Sequence, residues 1–456
     1  MHFDPGSVKR FRFLSYDFDP ATLTAGLNYA FDDGPELREE ITFHGARPPP
    51  DPERWAALDR CLHHLHLVAG ISYYKAAVPP AIRVETRAIP EETARFLDQL
   101  YLFGLGEFAY RNALDLRGRI RFPRTGRGEP AAPRLRLPRR TAVPVGGGKD
   151  SVVTIEALKA AGEPMVLISV GDPKPIRDVA AVAGVERIVI DRRLSPRLFE
   201  LNESGALNGH VPISAIIALI LTTASVLYGF DVVAMSNERS ADAANLTWNM
   251  LEINHQYSKS SAFERDLGEL LRRRLLPGFR YFSFLRPLSE LAIAAIFSRV
   301  GTAYFDVFRS CNAAFRLRDE RRASGWCCNC PKCRFVFLCL APFLPKSELV
   351  RIFGANLLEN PEQERGFAAI LGLAEHRPFE CVGDVEECVA ALALLASSPE
   401  WRDDRLVRHF SRLLLPAIPD PDALVREVLS PSAVDQLPAA YRSMLPSVPH
   451  PPPLTP

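Results

Sequence analysis

The sequence GGGKDS, beginning at Gly146, has the composition of a loop that binds phosphate oxygens. Gly146, Gly147 and Gly148 have no Cβ atom, so their N–H groups can approach an oxyanion closely. Lys149 adds a positive charge. The helix expected to begin here adds further N–H donors near Ser151, together with the positive end of its dipole. These residue types in this order predict a site for the phosphates of a nucleotide.

Asp150 gives this loop an additional feature, because a carboxylate beside an anionic ligand implies a bridging divalent cation, for which Mg²⁺ is expected. The spacing of the loop differs from the GxxxxGK[ST] and GxGxxG nucleotide motifs. A plain glycine turn between a strand and a helix is the alternative interpretation. We favour the phosphate loop because strand, loop and helix patterns occur in that order.

A second group of reactive residues is a cysteine cluster, in which Cys327, Cys330 and Cys333 form a C-x2-C-x2-C series. Cys311 precedes it, and four thiolates suit a closed tetrahedral Zn²⁺ site with a structural role. Cys328 leaves the identity of the fourth ligand open. An iron–sulfur cluster could use the same ligands, and buried thiols at the start of a helix would need no metal. We favour zinc.

Polar segments elsewhere also have residue types suited to binding. SNERSA, beginning at Ser236, directly follows an apolar run, and NHQYSK begins at Asn254. GHVP from Gly209 and PFECVG from Pro378 are two further segments of this kind. Because α/β enzymes place ligand contacts after buried strands, SNERSA is the segment most directly predicted to face a ligand.

These residues must be positioned by strands and helices that alternate along the chain. Four short apolar runs, each next to a helical pattern, predict the strands of a doubly wound parallel sheet. We therefore expect an α/β fold with an N-terminal α+β domain and a C-terminal helical region. The predicted parallel strands are Ala142–Val145, Val166–Val170, Arg187–Ile190 and Val232–Met235.

The chain is long enough for several domains, and composition changes along it suggest their boundaries. The stretch 117–140 has nine arginines and one acid, Glu129. We favour a solvated linker there; an arm that binds RNA or a phosphorylated substrate is the alternative. We expect an N-terminal α+β domain at 1–116, this basic linker at 117–140, a catalytic domain with the cysteine cluster at 141–343, a helical region at 344–444 and a disordered tail at 445–456.

Overall composition argues against nucleic-acid and membrane partners, because 24% of the residues are charged and yet the net charge is only +1. The first ten residues have no apolar core typical of a signal peptide, so a cytoplasmic location is expected. Pro212–Phe230 is uncharged over a length close to that of a membrane span. The apolar strand pattern that follows favours a helix packed on a sheet.

The motif GGxDS after a strand resembles the pyrophosphate-binding loop of the ATP pyrophosphatase superfamily. Gly146 stands where that superfamily usually has serine. The resemblance implies that ATP is cleaved to AMP and pyrophosphate, with AMP transferred to a carbonyl or carboxylate oxygen. It also implies that Asp150 holds Mg²⁺ and that Ser151 contacts pyrophosphate. Ser169 and Gly171, at the end of the next strand, are then expected near the adenine and ribose.

Taken together, the SNERSA, NHQYSK, GHVP and PFECVG segments resemble the UDP-N-acetylmuramoyl-L-alanyl-L-glutamate epimerase family. The resemblance extends from Phe11 to about Cys388. It implies adenylation of the terminal L-glutamate of the UDP-linked muramoyl dipeptide, inversion of its α-carbon, and release of AMP and pyrophosphate for peptidoglycan synthesis. A ligase that adds L-glutamate would be the partner in the pathway.

Inversion of a carbon centre requires proton carriers, and ATP explains how the proton becomes acidic enough to remove. Joining AMP to the carboxylate removes its negative charge. When the α-proton is then removed, the enolate oxygen can share the charge of the carbanion. Our catalytic candidates are His255 and Lys259, expected on one helical face, with Glu238 and Asp150. Candidates for substrate binding are Asn237, Arg239, Ser240 and His210.

Structural roles compete with several of these assignments. His255 could be an ordinary structural histidine, and Glu238 could form an ion pair with Arg239. Cys381 is interpreted as a core residue. Rival functions are an ATP pyrophosphatase that modifies a nucleobase or tRNA, by thiolation or nitrile formation, and a non-enzymatic ATP sensor. An amidotransferase-type synthetase is disfavoured because a glutaminase segment with an N-terminal cysteine is lacking.

Overall fold

A computed structural model describes residues 2–124, 132, 135–315, 325–433, 436–449 and 454. Its strands are β1 (Arg10–Asp19), β2 (Thr24–Phe31), β3 (Leu37–Phe43), β4 (Ala81–Val84), β5 (Thr141–Pro144), β6 (Met165–Val170), β7 (Arg187–Arg193), β8 (Val232–Met235), β9 (Leu246–Trp248), β10 (Leu251–Ile253) and β11 (Arg280–Ser283).

Helices alternate with the strands and then dominate the C-terminal third of the described chain. Those before residue 230 are α1 (Pro52–Ala69), α2 (Ile71–Tyr74), α3 (Glu91–Gly104), α4 (Gly106–Arg111), α5 (Lys149–Ala160), α6 (Lys174–Ala183), α7 (Pro196–Glu203) and α8 (Ile213–Tyr228). Those after it are α9 (Ser261–Leu270), α10 (Glu290–Val300), α11 (Pro331–Leu340), α12 (Lys346–Phe353), α13 (Glu364–Ile370), α14 (Val385–Ser397), α15 (Arg405–Leu414), α16 (Pro421–Leu429) and α17 (Ala439–Arg442).

Nine strands form one sheet in the order β11-β8-β5-β6-β7-β3-β2-β1-β4. The five strands from β11 to β7 are parallel to their neighbours. From β5 the chain proceeds outwards to β6 and β7, and it then returns to the other side of β5 to add β8 and β11. The strand order therefore reverses between β5 and β8, and in open α/β sheets this is where ligands bind.

Four further strands complete the sheet: β3, β2 and β1 run antiparallel to one another in turn, and β4 pairs in parallel with β1. Strand β3 joins them to the parallel part by pairing antiparallel with β7. This joint carries a buried ion pair, in which Nε of Arg192 lies 2.7 Å from Oε1 of Glu39. Arg192 also donates to the hydroxyl of Ser72. The sheet is thus continuous from the segment 1–116 into the segment 141–343.

Helices cover both faces of the sheet, as expected for strands that are apolar on both sides. One core contains Val143 of β5 with residues of α5, α6, α10 and α11, and the other contains Ala142 with residues of α1, α3, α8 and α9. The structure is therefore of the predicted mixed α/β class, with a large and mostly parallel sheet. From α11 to α17 the regular secondary structure of the described residues is helical, in agreement with the C-terminal pattern.

The uncharged segment Pro212–Phe230 contains α8, which is buried against α1. In the described part of the chain no helix has the length and hydropathy that a membrane span requires. The helical stretch from Glu91 to Arg111 is divided at Leu105 into α3 and α4. Residues 450–453, 455 and 456 of the tail predicted to be disordered lie outside the described residues, as do 125–131, 133 and 134 of the basic stretch.

Four of the seven arginines of the basic stretch that the structure describes form ion pairs with acids of the protein. Arg124 pairs with Glu91 and Asp98, and Arg140 with Glu186. Arg139 and Arg117 also form ion pairs, with Glu163 and Asp115 respectively. These four arginines are thus held against the protein by its own acids, and the linker assignment stays a prediction.

Candidate active site

A cavity of about 390 Å³ opens at the carboxyl ends of β5, β6 and β8, where the strand order reverses. Its lining joins segments that are distant in sequence: Pro144, Val145, Gly146, Gly148, Asp150, Ser151, Ile168, Ser169, Val170, Ile176, Ile217, Leu221, Met235, Ser236, Asn237, Lys259, Ser310, Asn312, Phe315, Lys332 and Cys381. The predicted phosphate loop and the start of SNERSA therefore face the same space.

The phosphate loop connects β5 to α5 as the sequence predicts. Gly148 is the N-cap of α5 and makes no side-chain capping bond, so the first N–H groups of the helix are available to an anion. Gly147 has a φ of +79°, a conformation that favours glycine. A Cβ atom at Gly148 would lie 2.5 Å from Oγ of Ser310. Ser310 thus presents a hydroxyl beside the loop, a contact that the sequence analysis missed.

Lys149 does not line the cavity with the loop, because its side chain is buried and hydrogen-bonded to Asp150 and Glu290. The predicted direct phosphate contact is therefore replaced by an internal ion pair. Burial opposes ionisation of Asp150, but the charge of Lys149 outweighs it and lowers the pKa of that carboxyl. Asp150 lines the cavity as a carboxylate, the form that a divalent cation requires.

The residues predicted at the end of the second parallel strand differ in their positions. Ser169 lines the cavity, and its buried hydroxyl has no hydrogen-bond partner among the described residues. Gly171 has a φ of +84° and its N–H donates to the carbonyl of Ile190. Gly171 is not part of the described lining, so its role is to turn the chain out of the sheet.

SNERSA follows β8, but its residues point in different directions. Asn237 lines the cavity and donates to Oγ of Ser283 at 3.0 Å. The guanidinium of Arg239 instead donates to the carbonyls of Val428 and Ser430, both at 3.2 Å. Substrate binding by Arg239 stays a prediction: its side chain contacts the end of α16 and is not part of the described lining of the cavity, and a 3-10 turn begins at this residue.

Glu238 and Ser240 of the same segment are buried and absent from the described lining of the cavity. The carbonyl of Glu238 accepts a 2.7 Å hydrogen bond from Arg286, which is also buried. The same arginine donates to the carbonyl of Lys259 and to the carboxylate of Glu264. Arg286 therefore fixes the NHQYSK segment next to the end of β8.

His255 and Lys259 do not share a helical face, which corrects the sequence-based prediction. Only one 3-10 turn forms, at Tyr257–Lys259, and His255 precedes it. The side chain of Asn254 accepts from the N–H of Gln256 at 2.7 Å, a local bond that competes with helix formation. Both side chains nevertheless meet, because each of them contacts Cys381.

A cluster of Glu107, His210 and His255 lies behind this contact. Nδ1 of His255 is 2.5 Å from Oε2 of Glu107, and the rings of the two histidines are 4.3 Å apart. Burial and the nearby His255 lower the pKa of His210 to about 4. Ligand atoms of all three residues lie within 4.8 Å of one another. Because Glu107 and His255 bond each other directly, we interpret the three residues as a hydrogen-bonded cluster and not as a metal site.

The sequence pattern predicted Cys381 to be a core residue. In the structure Cys381 is instead part of the cavity wall. Its sulfur accepts hydrogen bonds from Nζ of Lys259, at 3.3 Å, and from His255. Burial alone would raise the thiol pKa, but Lys259 and His255, together with the charge of Lys332, lower it to about 6. The ammonium of Lys332 donates to the carbonyl of Cys381. The only sequence signal for this role was the PFECVG segment, whose spacing defines no site.

The four cysteines Cys311, Cys327, Cys330 and Cys333 converge, with sulfur atoms within 4.8 Å of one another. The Cys327–Cys333 and Cys330–Cys333 sulfur separations are 3.8 and 3.5 Å, close to the ~3.8 Å expected around tetrahedral Zn²⁺. Cys328 points away and donates to the carbonyl of Phe353. The donor set thus fits a metal ion, with Cys311 as the fourth ligand.

Two family models match the chain, the MurL N-terminal domain over residues 2–284 and the MurL C-terminal domain over residues 307–422. A UDP-N-acetyl-alpha-D-muramoyl-L-alanyl-L-glutamate epimerase of Xanthomonas oryzae pv. oryzae is 45% identical over 439 residues, covering 96% of this chain and 97% of that protein. A protein of the same name from Salinispora tropica is 43% identical over 450 residues, covering 97% of this chain and 96% of its own. The cavity lies between the two matched regions, since the phosphate loop is in the first and Cys381 in the second.

Proposed function

Because the chain belongs to the UDP-N-acetyl-alpha-D-muramoyl-L-alanyl-L-glutamate epimerase family, we propose that it inverts the α-carbon of the terminal glutamate of that UDP-linked dipeptide. The product carries D-glutamate for peptidoglycan precursors. Near-complete coverage of both proteins in each comparison supports a shared activity. A ligase that adds L-glutamate would supply the substrate, and both steps belong in the cytoplasm.

The reaction proceeds through ATP in this proposal. ATP is cleaved to AMP and pyrophosphate, and AMP is joined to the α-carboxylate that flanks the carbon to be inverted. Once adenylated, this group no longer carries the negative charge that opposes removal of the neighbouring proton. The observation that supports this route is the cavity where the strand order reverses. Both the phosphate loop and its carboxylate, Asp150, line that cavity.

The cavity residues divide this work between them. N–H groups from the start of α5 and the hydroxyls of Ser151 and Ser310 bind phosphate oxygens. Asp150 would hold Mg²⁺, which when bound neutralises phosphate charge. The unpartnered hydroxyl of Ser169 faces the same space and supplies a hydrogen bond to the nucleotide. The strand, the loop and the helix follow one another as in the ATP pyrophosphatase motif, and the loop lines the cavity.

Zinc in the four-cysteine cluster would have a structural role, because four protein ligands leave no open position on the ion. The ion would tie Cys311, which follows the loop-contacting Ser310, to the start of α11. Lys332 lies between two of the ligands and lines the cavity. A metal there would therefore stabilise one wall of the active site.

The test is to incubate the protein with UDP-MurNAc-L-Ala-L-Glu, ATP and Mg²⁺ in heavy water. AMP release together with one deuterium at the glutamate α-carbon of a D-configured product supports the proposal. AMP release without deuterium would retain adenylation and reject epimerisation. Epimerisation that proceeds without ATP would reject the adenylate route.

A further inference from the structure

We propose that Cys381 is the base that removes the α-proton of the glutamyl residue, with His255 and Lys259 as the cations that hold its thiolate. The inference depends on the proposed epimerase function. Its geometric basis is that one sulfur in the cavity wall accepts a hydrogen bond from Nζ of Lys259 at 3.3 Å, with His255 as its second cationic neighbour. A sulfur that only filled space would have no need of either donor.

The residues behind Cys381 fix this arrangement. Glu107 bonds Nδ1 of His255 at 2.5 Å and orients the ring, and it is itself held by Arg111 at 2.6 Å. The N–H of His255 donates to the side chain of Asn245 at 2.8 Å, and Arg286 holds the carbonyl of Lys259. Glu107 and Arg286 are therefore positioning residues, which act on Cys381 through its two partners.

Protonation states separate the roles of these three groups. Burial opposes the charge on His255, but hydrogen bonds to Cys381 and Glu107 raise its pKa to about 9. Burial likewise opposes the ammonium of Lys259, but the charges of Cys381 and Glu238 outweigh this effect and raise the pKa of Lys259 above its ordinary value. At neutral pH both are cations with no free lone pair. Of the three, the thiolate alone can accept a proton.

The chemical step then balances without any redox partner. The thiolate takes the α-hydrogen as a proton, an S–H bond forms, and the electron pair of the broken C–H bond moves into the enolate of the acyl-adenylate. Water in the open cavity returns a proton to the opposite face, and the hydroxide that remains takes the proton from the thiol. Hydrolysis of the adenylate then releases AMP and the inverted glutamate.

The decisive experiment compares two measurements on the full-length protein, using Cys381→Ala and Cys381→Ser. Adenylation is followed by isotope exchange between pyrophosphate and ATP, and proton removal by deuterium uptake at the α-carbon. We expect adenylation within a few-fold of wild type and deuterium uptake reduced at least ~100-fold. Undiminished deuterium uptake in Cys381→Ala would overturn the proposal. Absence of uptake in the wild-type protein would instead reject the epimerase function.

Cys328→Ser is the matched control, since its sulfur bonds a main-chain carbonyl outside the cavity. It should retain both activities. Intact mass measured during turnover tests another role for the thiol: a glutamyl thioester on Cys381 would make it a nucleophile and overturn its assignment as a base.

Alkylation of the thiol provides a measurement that does not depend on turnover. The rate at which iodoacetamide labels Cys381, read by peptide mass spectrometry, should rise around pH 6 in the wild-type protein. In His255→Asn this rise should move to higher pH, because one stabilising donor is lost. A rise that stays in place in the variant, or that occurs near the ordinary thiol pKa in wild type, would contradict the proposed thiolate.

Discussion

The ammonium of Lys259 lies 3.3 Å from the sulfur of Cys381, although 122 positions separate the two residues in the chain. A thiol at this site would otherwise be mostly protonated at neutral pH, because burial disfavours the charged form. The nearby cation reverses that preference. This contact therefore gives the cavity a basic group next to its phosphate-binding loop.

The pH dependence of epimerisation should follow the groups of this cluster. We expect kcat/KM to rise through about pH 6, as Cys381 becomes a thiolate, and to fall through about pH 9, as His255 loses its proton. Lys259→Met should move the rising limb to higher pH, because removal of a cation favours the thiol. Lys159→Met, which alters a surface ion pair with Glu156, should move neither limb. If the rising limb is unchanged in Lys259→Met, the rise reports the ionisation of a group other than Cys381.

Asp150→Ala should reduce exchange between pyrophosphate and ATP at least ~100-fold, because the ionised carboxylate that would hold Mg²⁺ beside the phosphates is lost. Asp178→Ala is a suitable control, since this residue pairs with Lys174 on the surface of α6. The control should exchange at the wild-type rate. Equal exchange in the two variants would remove Asp150 from the nucleotide site.

Cys330→Ser should lower the zinc content and also reduce the free energy of unfolding by roughly 3–5 kcal/mol, the scale expected when a metal site is lost. Metal analysis and urea unfolding measure the two effects. Cys328→Ser should retain both properties, because that sulfur lies outside the cluster. Full stability of a metal-free wild-type protein would show that the four thiols need no ion.

Arg286→Ala should destabilise the fold by about 3–5 kcal/mol, because it leaves the buried carboxylate of Glu264 without its cation. Arg265→Ala removes an exposed pair with Asp266 and should cost less than about 1 kcal/mol. Thermal unfolding of both variants provides the comparison. Similar small losses would show that Arg286 is not needed to hold the end of β8 against Lys259.

Features encoded by local spacing were predictable from the sequence. The strand, loop and helix around Gly147 follow from a run of apolar residues, glycines and a helical pattern. The convergence of Cys327, Cys330 and Cys333 follows from their regular separation. Cys311 could be suggested as a fourth ligand, but only the fold shows that it approaches the others while Cys328 turns away.

Features that depend on distant segments could not be derived in this way. Cys381 meets His255, and His255 meets Glu107, through tertiary packing, and no periodicity relates three residues so far apart. Local polar chemistry also misled: the side chain of Asn254 bonds the next turn and prevents the helix that would have aligned His255 with Lys259. The direction of Lys149, likewise, is decided by the buried carboxylate of Glu290.

The pairing of β3 with β7 limits how the cavity can open to a bulky substrate. A shared ladder of main-chain hydrogen bonds, reinforced by the buried Arg192–Glu39 contact, resists rotation of the N-terminal strands against the parallel ones. A hinge between these two parts of the sheet would have to break that ladder. The sheet thus serves as a fixed frame, and we expect any movement that admits substrate to occur in the connections at the strand ends.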